Sequence, residues 1–133
     1  MFKQDFMKNL LCFFLLFFIC LCKSQSPSEI IGKPIQIGNL EIAQYDFPNK
    51  MNWYDAKEVC SKLGEGWRLP TKEELDFLFE NKEKIGGFSK KHYWSSSENF
   101  GEFAWKQRFK NGNQHFFYEQ FKCIVRAVRF YNN

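Results

Sequence analysis

The chain has 133 residues, with 19 Lys and Arg against 15 Asp and Glu, and a fifth of its side chains are aromatic. This length fits one small domain and excludes most multi-domain enzymes. The aromatic content excludes a disordered chain, and the small positive charge does not favour a dedicated nucleic-acid-binding protein.

The first 24 residues carry the pattern of an export signal. Lysines at positions 3 and 8 precede an unbroken apolar run of twelve residues from Leu10 to Leu21. As a helix this run rises only about 18 Å, well short of a hydrocarbon core about 30 Å thick. We therefore predict a signal peptide over residues 1–24, cleaved after Ser24, and an exported protein that is periplasmic, at the cell surface or secreted.

Two alternatives stay open at this end of the chain. Met7 is as good an initiator as Met1, and a lipid could attach at Cys20 or Cys22, although a bulky residue precedes each cysteine where a small one is expected. Cleavage after Ser24 removes three lysines and one aspartate, so the net charge falls from +4 to +2. No later segment is apolar over a length that would span a bilayer.

Cleavage also leaves two cysteines, Cys60 and Cys123. In an oxidising compartment a disulfide between them is the leading interpretation, and two separate buried thiols are the alternative. The bridge would close a loop of 64 residues and contribute about 4 kcal/mol in the chain-entropy model. Two cysteines this far apart form neither a zinc motif nor a Cys-x-x-Cys redox pair.

The elements after the leader begin with a predicted polar lead-in over residues 25–34, followed by one domain over residues 35–133. Alternating residues around Gly38-Asn39 predict a hairpin or a kinked strand. Asn52 is expected to cap a first helix whose apolar stripe turns Cys60 inward. Thr71 and Glu74 form a capping-box pattern that predicts the start of a second helix.

After Gly86-Gly87 the apolar pattern changes to a period of two. It predicts four strands, at residues 93–95, 103–109, 114–119 and 123–130, with Asn111-Gly112 as the tight turn between the second and third. Strands, two helices and a run of antiparallel strands describe an α+β domain, in which two helices pack on a small antiparallel sheet.

Five motifs follow one another in a specific combination. They are Trp53-x-x-Ala56-x-x-x-Cys60, Gly66-Trp67-Arg68-Leu69-Pro70-Thr71-x-x-Glu74-Leu75, Tyr93-Trp94-Ser95-Ser96, Ala104-Trp105 and Val125-Arg126-Ala127-Val128-Arg129. With these motifs the chain resembles the Lcl C-terminal domain family, long catalogued as a domain of unknown function and overlapping the Fibrobacter-type major paralogous domain. The resemblance covers about Ile35 to Arg129.

That family is similar in fold to C-type lectin-like domains, so the resemblance implies this fold and a bridge between the first helix and the final strand. It also implies a binding role, because some members are adhesin domains that bind sulfated glycans. The chain departs from calcium-dependent lectins: it lacks their Glu-Pro-Asn, Gln-Pro-Asp and Trp-Asn-Asp motifs, and only a short connection runs from Ser97 to Glu102. No calcium site, other metal or cofactor is therefore expected.

Residues with catalytic potential are few. His92 and His115 have no carboxylate or cysteine at metal-ligand spacing, and Ser95-Ser96-Ser97 lacks a nucleophile elbow. Glu98 and Glu102 are expected to be solvated turn residues. We expect no enzymatic activity.

Arg68 and Arg126 lie among apolar motif residues. A guanidinium in such a place usually pairs with a carboxylate, so we expect a structural network with Asp55, Glu73 or Glu98, and a ligand contact is the alternative. Structural roles are also expected for the other motif residues, Trp53, Trp67, Pro70, Trp94 and Trp105.

A row of cations gives the candidate ligand site. Lys106 and Arg108 share one face of a predicted strand, and Lys110 continues the row. The full candidate set is Lys106, Arg108, Lys110, His115, Tyr118 and Arg129. Cations among aromatic rings favour an acidic or sulfated polysaccharide, and the alternative is a solvated edge that discourages aggregation.

Two functions follow from these patterns. The first is a non-catalytic binding module that recognises carbohydrate or acidic glycan at the cell surface. The second is an envelope module for protein–protein interaction or structure, without a glycan site and with a surface protein as its partner.

Overall fold

The computed structural model describes residues 25–132, and the predicted signal peptide lies outside them. Strands in this range form two antiparallel sheets of three strands each. The first sheet has the order β1-β2-β6, with β1 at Ile35–Ile37, β2 at Leu40–Ile42 and β6 at Val128–Phe130. The second has the order β3-β4-β5, with β3 at His92–Asn99, β4 at Phe103–Arg108 and β5 at Gln114–Tyr118.

The described chain also contains four helices: α1 at Pro27–Ile31, α2 at Trp53–Lys62, α3 at Lys72–Glu80 and α4 at Lys82–Ile85. The two longer helices begin at the predicted caps. The Asn52 side chain accepts a 2.9 Å hydrogen bond from the Asp55 backbone N–H, and Thr71 and Glu74 form the reciprocal capping box. Both predicted helix starts are confirmed.

The architecture differs from the prediction in two respects, because two helices on one sheet were expected. The strands divide into two sheets, and α1 and α4 are additional. Helix α1 lies in the predicted polar lead-in, where Ile30 is buried and the Gln44 backbone N–H donates to the Ile31 carbonyl at 2.9 Å. Helices of five and four residues are too short to show a helical period.

The predicted strand over residues 123–130 is regular only in β6. Residues 123–127 are buried and link the two sheets. Cys123 pairs with Met51, and Ile124 pairs with Tyr93 of β3, each as an isolated bridge. Because its backbone bonds go to several different partners, the segment forms no continuous ladder with one strand.

Arg126 lies in this linking segment and is almost fully buried. Its Nε donates to Asp46 at 2.6 Å, and its other nitrogens donate to the carbonyls of Ala43 at 3.2 Å and Gly87 at 2.9 Å. Arg68 makes two hydrogen bonds to Glu74, at 2.7 and 2.9 Å. The carboxylate partners are thus Asp46 and Glu74 rather than the predicted Asp55, Glu73 or Glu98, because the packing of distant loops selects Asp46 and the capping box positions Glu74.

The structure does not contain the predicted disulfide bridge. Cys60 and Cys123 are free thiols, buried in the same core cluster with Trp53, Trp94 and Val125. Each thiol fills core volume as a small apolar side chain, which stabilises the domain without a covalent bond.

Candidate functional site

The β3-β4-β5 sheet brings four basic side chains to one face. Lys106 pairs with His115 of β5, and Arg108 pairs with His92 of β3. Directly paired residues of an antiparallel sheet present their side chains on the same face, as do residues two positions apart in a strand. These four residues therefore share what we call the basic face.

Three loop lysines extend this face around a cavity of about 270 Å³. We call it the lysine cavity; it is lined by Lys50, Lys91, His92, Lys106, Phe117, Phe121, Lys122 and Cys123. No Asp or Glu of residues 25–132 is among these lining residues. The cavity therefore presents four ammonium groups without a carboxylate between them.

The position of Lys50 depends on contacts made by its neighbour Met51. The backbone N–H of Met51 donates to the carbonyl of Cys123, and the reverse bond has the same length of 3.0 Å. The indole of Trp94 also donates to the Met51 carbonyl, at 2.9 Å. The core thus fixes the chain at Met51 and brings Lys50 to the cavity.

The pKa of His92 reflects its burial and the positive charges around the cavity. Burial lowers the pKa of its imidazole below the ordinary 6.5, and the positive charges of Lys106 and Arg108 lower it further. His115 and Lys50 contribute in the same direction. His92 is therefore mainly neutral at pH 7, in a positive field that would favour a bound anion.

Aromatic rings form another part of the cavity wall. The Lys106 ammonium lies 4.0 Å from the centroid of the Phe117 ring, a cation–π contact. Phe121 packs on Phe117 with 4.6 Å between ring centroids and remains exposed. The cavity therefore offers cations beside an accessible ring, a combination suited to an anionic sugar.

Cys123 lines the same cavity, but its thiol is unreactive at neutral pH. Burial raises the pKa of its thiol to about 11, against the opposing effect of Lys106 and Lys50. The sulfur stays protonated at neutral pH, so it does not supply a thiolate nucleophile. The cavity therefore offers cations that can bind an anion, whereas its cysteine does not provide a nucleophile.

Three of the six predicted site residues lie away from the basic face. Lys110 lines a separate cavity of about 390 Å³ beside α4. Tyr118 pairs with Phe103 on the opposite face of the sheet. Arg129 lies in the other sheet, where it pairs with Glu41 at 2.6 Å and Glu65 at 3.0 Å.

The opposite face of the sheet carries aromatic side chains. Its cross-strand pairs include Phe103 with Tyr118 and Trp105 with Phe116. Ring centroids lie 4.5 Å apart in the first pair and 5.5 Å apart in the second. We call these four residues the aromatic face.

The other motif residues hold the scaffold together. The Trp53 indole donates to the Ser95 carbonyl at 2.8 Å, and the Pro70 carbonyl accepts from the Ser96 backbone N–H at 2.7 Å. Trp67 is buried beneath the Arg129 guanidinium, 4.7 Å from its ring centroid.

Sequence reasoning missed Lys50 and Lys91, and it considered His92 only as a metal-ligand or catalytic candidate. The run Lys90-Lys91-His92 immediately before a predicted strand was an available signal for two of these residues. Lys50 carried no local signal, because its place depends on the pairing of Met51 with the distant Cys123.

Comparison with protein families identifies the domain. The model of the Lcl C-terminal domain matches residues 28–129. The chain belongs to the Lcl C-terminal domain family. The matched region begins within α1 and includes most of this helix. No curated protein sequence matches the chain.

Solved structures similar to this Lcl C-terminal domain are C-type lectin-like snake venom proteins. Botrocetin matches with a TM-score of 0.55 at 14% identity, over 74% of this chain and 97% of that chain. EMS16, an antagonist of the collagen receptor integrin alpha2beta1, matches with a TM-score of 0.51 at 16% identity, over 74% and 97%. At these identities the likeness shows the fold, which is C-type lectin-like.

Two further properties concern the described residues alone. Residues 25–132 contain no group of three or more His, Cys, Asp or Glu side chains placed to hold a metal ion. In the same range, no helix has the length and apolar character needed to cross a membrane.

Proposed function

We propose that this Lcl C-terminal domain is an exported, non-catalytic binding module that recognises an acidic polysaccharide, such as a sulfated or carboxylated glycan, at the cell surface. The observation that carries the proposal is the lysine cavity. The export pattern of residues 1–24 supports a location where such glycans occur.

The lysines of the lysine cavity differ in charge pairing from three arginines of the described residues. Arg68, Arg126 and Arg129 each pair with a carboxylate. Among the described residues, no salt bridge includes a lysine of the lysine cavity. Like charges held close together repel one another, so an anionic ligand would supply the missing counter-charge.

The size of the cavity fits one charged sugar unit of a longer polysaccharide. Ligand cavities are commonly about 300–1,000 Å³, so a volume of about 270 Å³ fits a small charged unit. Neighbouring units of a polysaccharide would continue along the basic face past Arg108 and His115. Phe121 would contact the apolar side of the sugar ring.

A protein ligand is the second candidate. The observation that favours it is the likeness to botrocetin, which is also solved in a complex with the von Willebrand factor A1 domain. In that case the module would bind an envelope or surface protein, and lysine-cavity substitutions would leave binding unchanged.

Retention on a heparin-like resin tests the proposal. We expect elution at a lower salt concentration for Lys50→Ala/Lys106→Ala than for Lys33→Ala/Lys84→Ala, which removes the same charge from exposed lysines outside the cavity. The double variant Lys106→Ala/Arg108→Ala should behave like the first variant. Equal elution of all variants, or retention that does not depend on salt, would instead favour the protein ligand.

Export has a separate test. The N-terminal sequence of the protein recovered outside the cytoplasm is expected to begin at Gln25. Recovery of the intact leader, or of a lipid attached at Cys20 or Cys22, would contradict the proposed cleavage.

A further inference from the structure

Strand β5 forms one edge of the β3-β4-β5 sheet. The Arg108 N–H donates to the Asn113 carbonyl at one end of the β4–β5 pair, and the Glu119 N–H donates to the Glu102 carbonyl at the other, both at 2.9 Å. Hydrogen-bonded pairs recur at every second residue of an antiparallel ladder. His115 and Phe117 therefore direct their backbone groups toward β4.

The alternate residues of β5 direct their backbone groups away from the sheet. They are Gln114, Phe116 and Tyr118. In this set the Tyr118 carbonyl accepts a 3.0 Å bond from the Phe121 N–H. The described residues provide no other backbone partner for the outward groups of β5.

This edge lacks the usual protection against pairing. Residues 114–118 contain no Lys, Arg, Asp, Glu or Pro, and the β4–β5 register has no bulge. Natural edge strands are normally guarded by such features. Two of the residues whose backbone groups point away from the sheet instead carry exposed aromatic rings, with Phe116 50% and Tyr118 44% exposed.

We propose that β5 pairs antiparallel with β5 of a second copy of this chain, forming a two-fold symmetric dimer with a continuous six-stranded sheet. Centred on Phe116, this pairing joins each Phe116 N–H to the Phe116 carbonyl of the other copy. It also joins each Tyr118 N–H to the Gln114 carbonyl of the other copy, and it breaks no described hydrogen bond.

A second copy fits this edge because the edge is complementary to itself. An antiparallel array of N–H and C=O groups matches its own image under a two-fold axis. The strand carries no Lys, Arg, Asp or Glu, so pairing opposes no like charges of these residues across the junction. Phe116 of each copy would pack against its counterpart, which removes apolar surface from water.

The dimer would also affect the proposed glycan binding, and this step rests on the proposed function. A two-fold axis perpendicular to the sheet places both basic faces on the same side. A long polyanion could then contact two lysine cavities, which raises its apparent affinity through effective concentration.

Sedimentation velocity over a range of concentrations tests the dimer, using residues 25–133, which contain both core clusters. We expect a monomer–dimer equilibrium with a dissociation constant on the order of micromolar, as for other small interfaces. Phe116→Lys and Phe116→Pro should be monomeric with thermal midpoints that show a folded domain. Phe100→Lys, which changes a ring that is 91% exposed in the other hairpin, should still dimerise.

Two results would overturn the dimer: a wild-type monomer throughout the concentration range, or Phe116→Pro that dimerises as well as wild type. The effect of the dimer on glycan binding is measured separately, with heparin chains of two lengths. Phe116→Pro should bind short chains as wild type does and long chains more weakly. If the wild-type protein does not bind short heparin chains, this result contradicts the proposed function. The dimer measurement is unaffected by it.

Discussion

The Arg126 guanidinium donates a 2.6 Å hydrogen bond to the Asp46 carboxylate, across 80 positions of sequence. Asp46 also accepts a 2.7 Å bond from the Tyr93 hydroxyl. The ion pair thus connects the buried linking segment, the loop after β2 and the start of β3. Strand β3 carries His92, so this network supports the element that lines the lysine cavity.

Asp46→Ala should lower the free energy of unfolding by about 3–5 kcal/mol, because it leaves the buried Arg126 charge without its counter-ion. Denaturant unfolding measures this loss. Glu58→Ala is the matched control, since it removes a carboxylate from the exposed pair with Lys62 and should change the free energy of unfolding much less, because solvent screens an exposed pair. Similar losses in the two variants would show that the buried ion pair has no special role.

Local sequence predicted the two longer helices because their signals lie within a few residues. Asn52 and Asp55, and Thr71 and Glu74, make their capping contacts inside single turns. The alternation of Lys106 and Arg108 likewise gave their common face. These features depend on backbone periodicity, which the residue pattern carries directly.

The lysine cavity and the charge partners depend on contacts between distant segments. Lys50 lies at the cavity because its neighbour Met51 pairs with Cys123. Arg126 forms an ion pair with Asp46 because distant loops pack together. Arg129 was expected at the ligand site because the strands were treated as one sheet. The division into two sheets places it beside Glu41 instead.

Cys60 and Cys123 should not react with a thiol reagent at pH 8 in the folded protein. Burial raises the pKa of Cys60 to about 12 and that of Cys123 to about 11. Titration with Ellman's reagent should detect two thiols after denaturation without a reductant, and almost none before it. No thiols after denaturation would show a disulfide, and rapid reaction of the native protein would contradict the burial.

The same shifts predict a loss of stability in alkali. In the unfolded chain each thiol ionises near its ordinary pKa of 9.0, whereas in the folded domain it stays protonated. The stabilising contribution is therefore complete below pH 9 and is lost as the pH rises toward 11–12. Unfolding midpoints measured between pH 8 and pH 10.5 should fall, and Cys123→Ala should fall less steeply than wild type.

Gly112→Ala should destabilise the domain more than Gly38→Ala. Both glycines have positive φ angles, 78° and 61°, so each alanine carries a similar backbone cost of about 1–2 kcal/mol. A Cβ at position 112 would lie 2.5 Å from a ring carbon of Phe79, whereas nothing lies within 4 Å at position 38. The steric term should add about 1–3 kcal/mol to the unfolding difference, and equal losses would show that Phe79 moves aside freely.

Glycan affinity should rise as the pH falls below 6.5, because a bound polyanion favours the charged form of His92. In the free domain, burial and the surrounding cations keep the pKa of this imidazole below its ordinary value. The charged groups that face it are Lys50, Lys91, Lys106, Arg108, His115 and Lys122. Titration with fully sulfated heparin at constant ionic strength, from pH 7.5 to 5.5, measures the effect while the ligand charge stays fixed.

His92→Gln should flatten this pH dependence, and His115→Gln is the control for the more exposed imidazole. Without glycan, the lowered pKa means that His92 stabilises the fold above pH 6.5 and that this contribution is lost as the pH falls through the folded-state pKa. The wild-type thermal midpoint should therefore decrease in acid and recover when heparin is added. An identical pH dependence of heparin affinity in wild type and His92→Gln would exclude His92 as the titrating group.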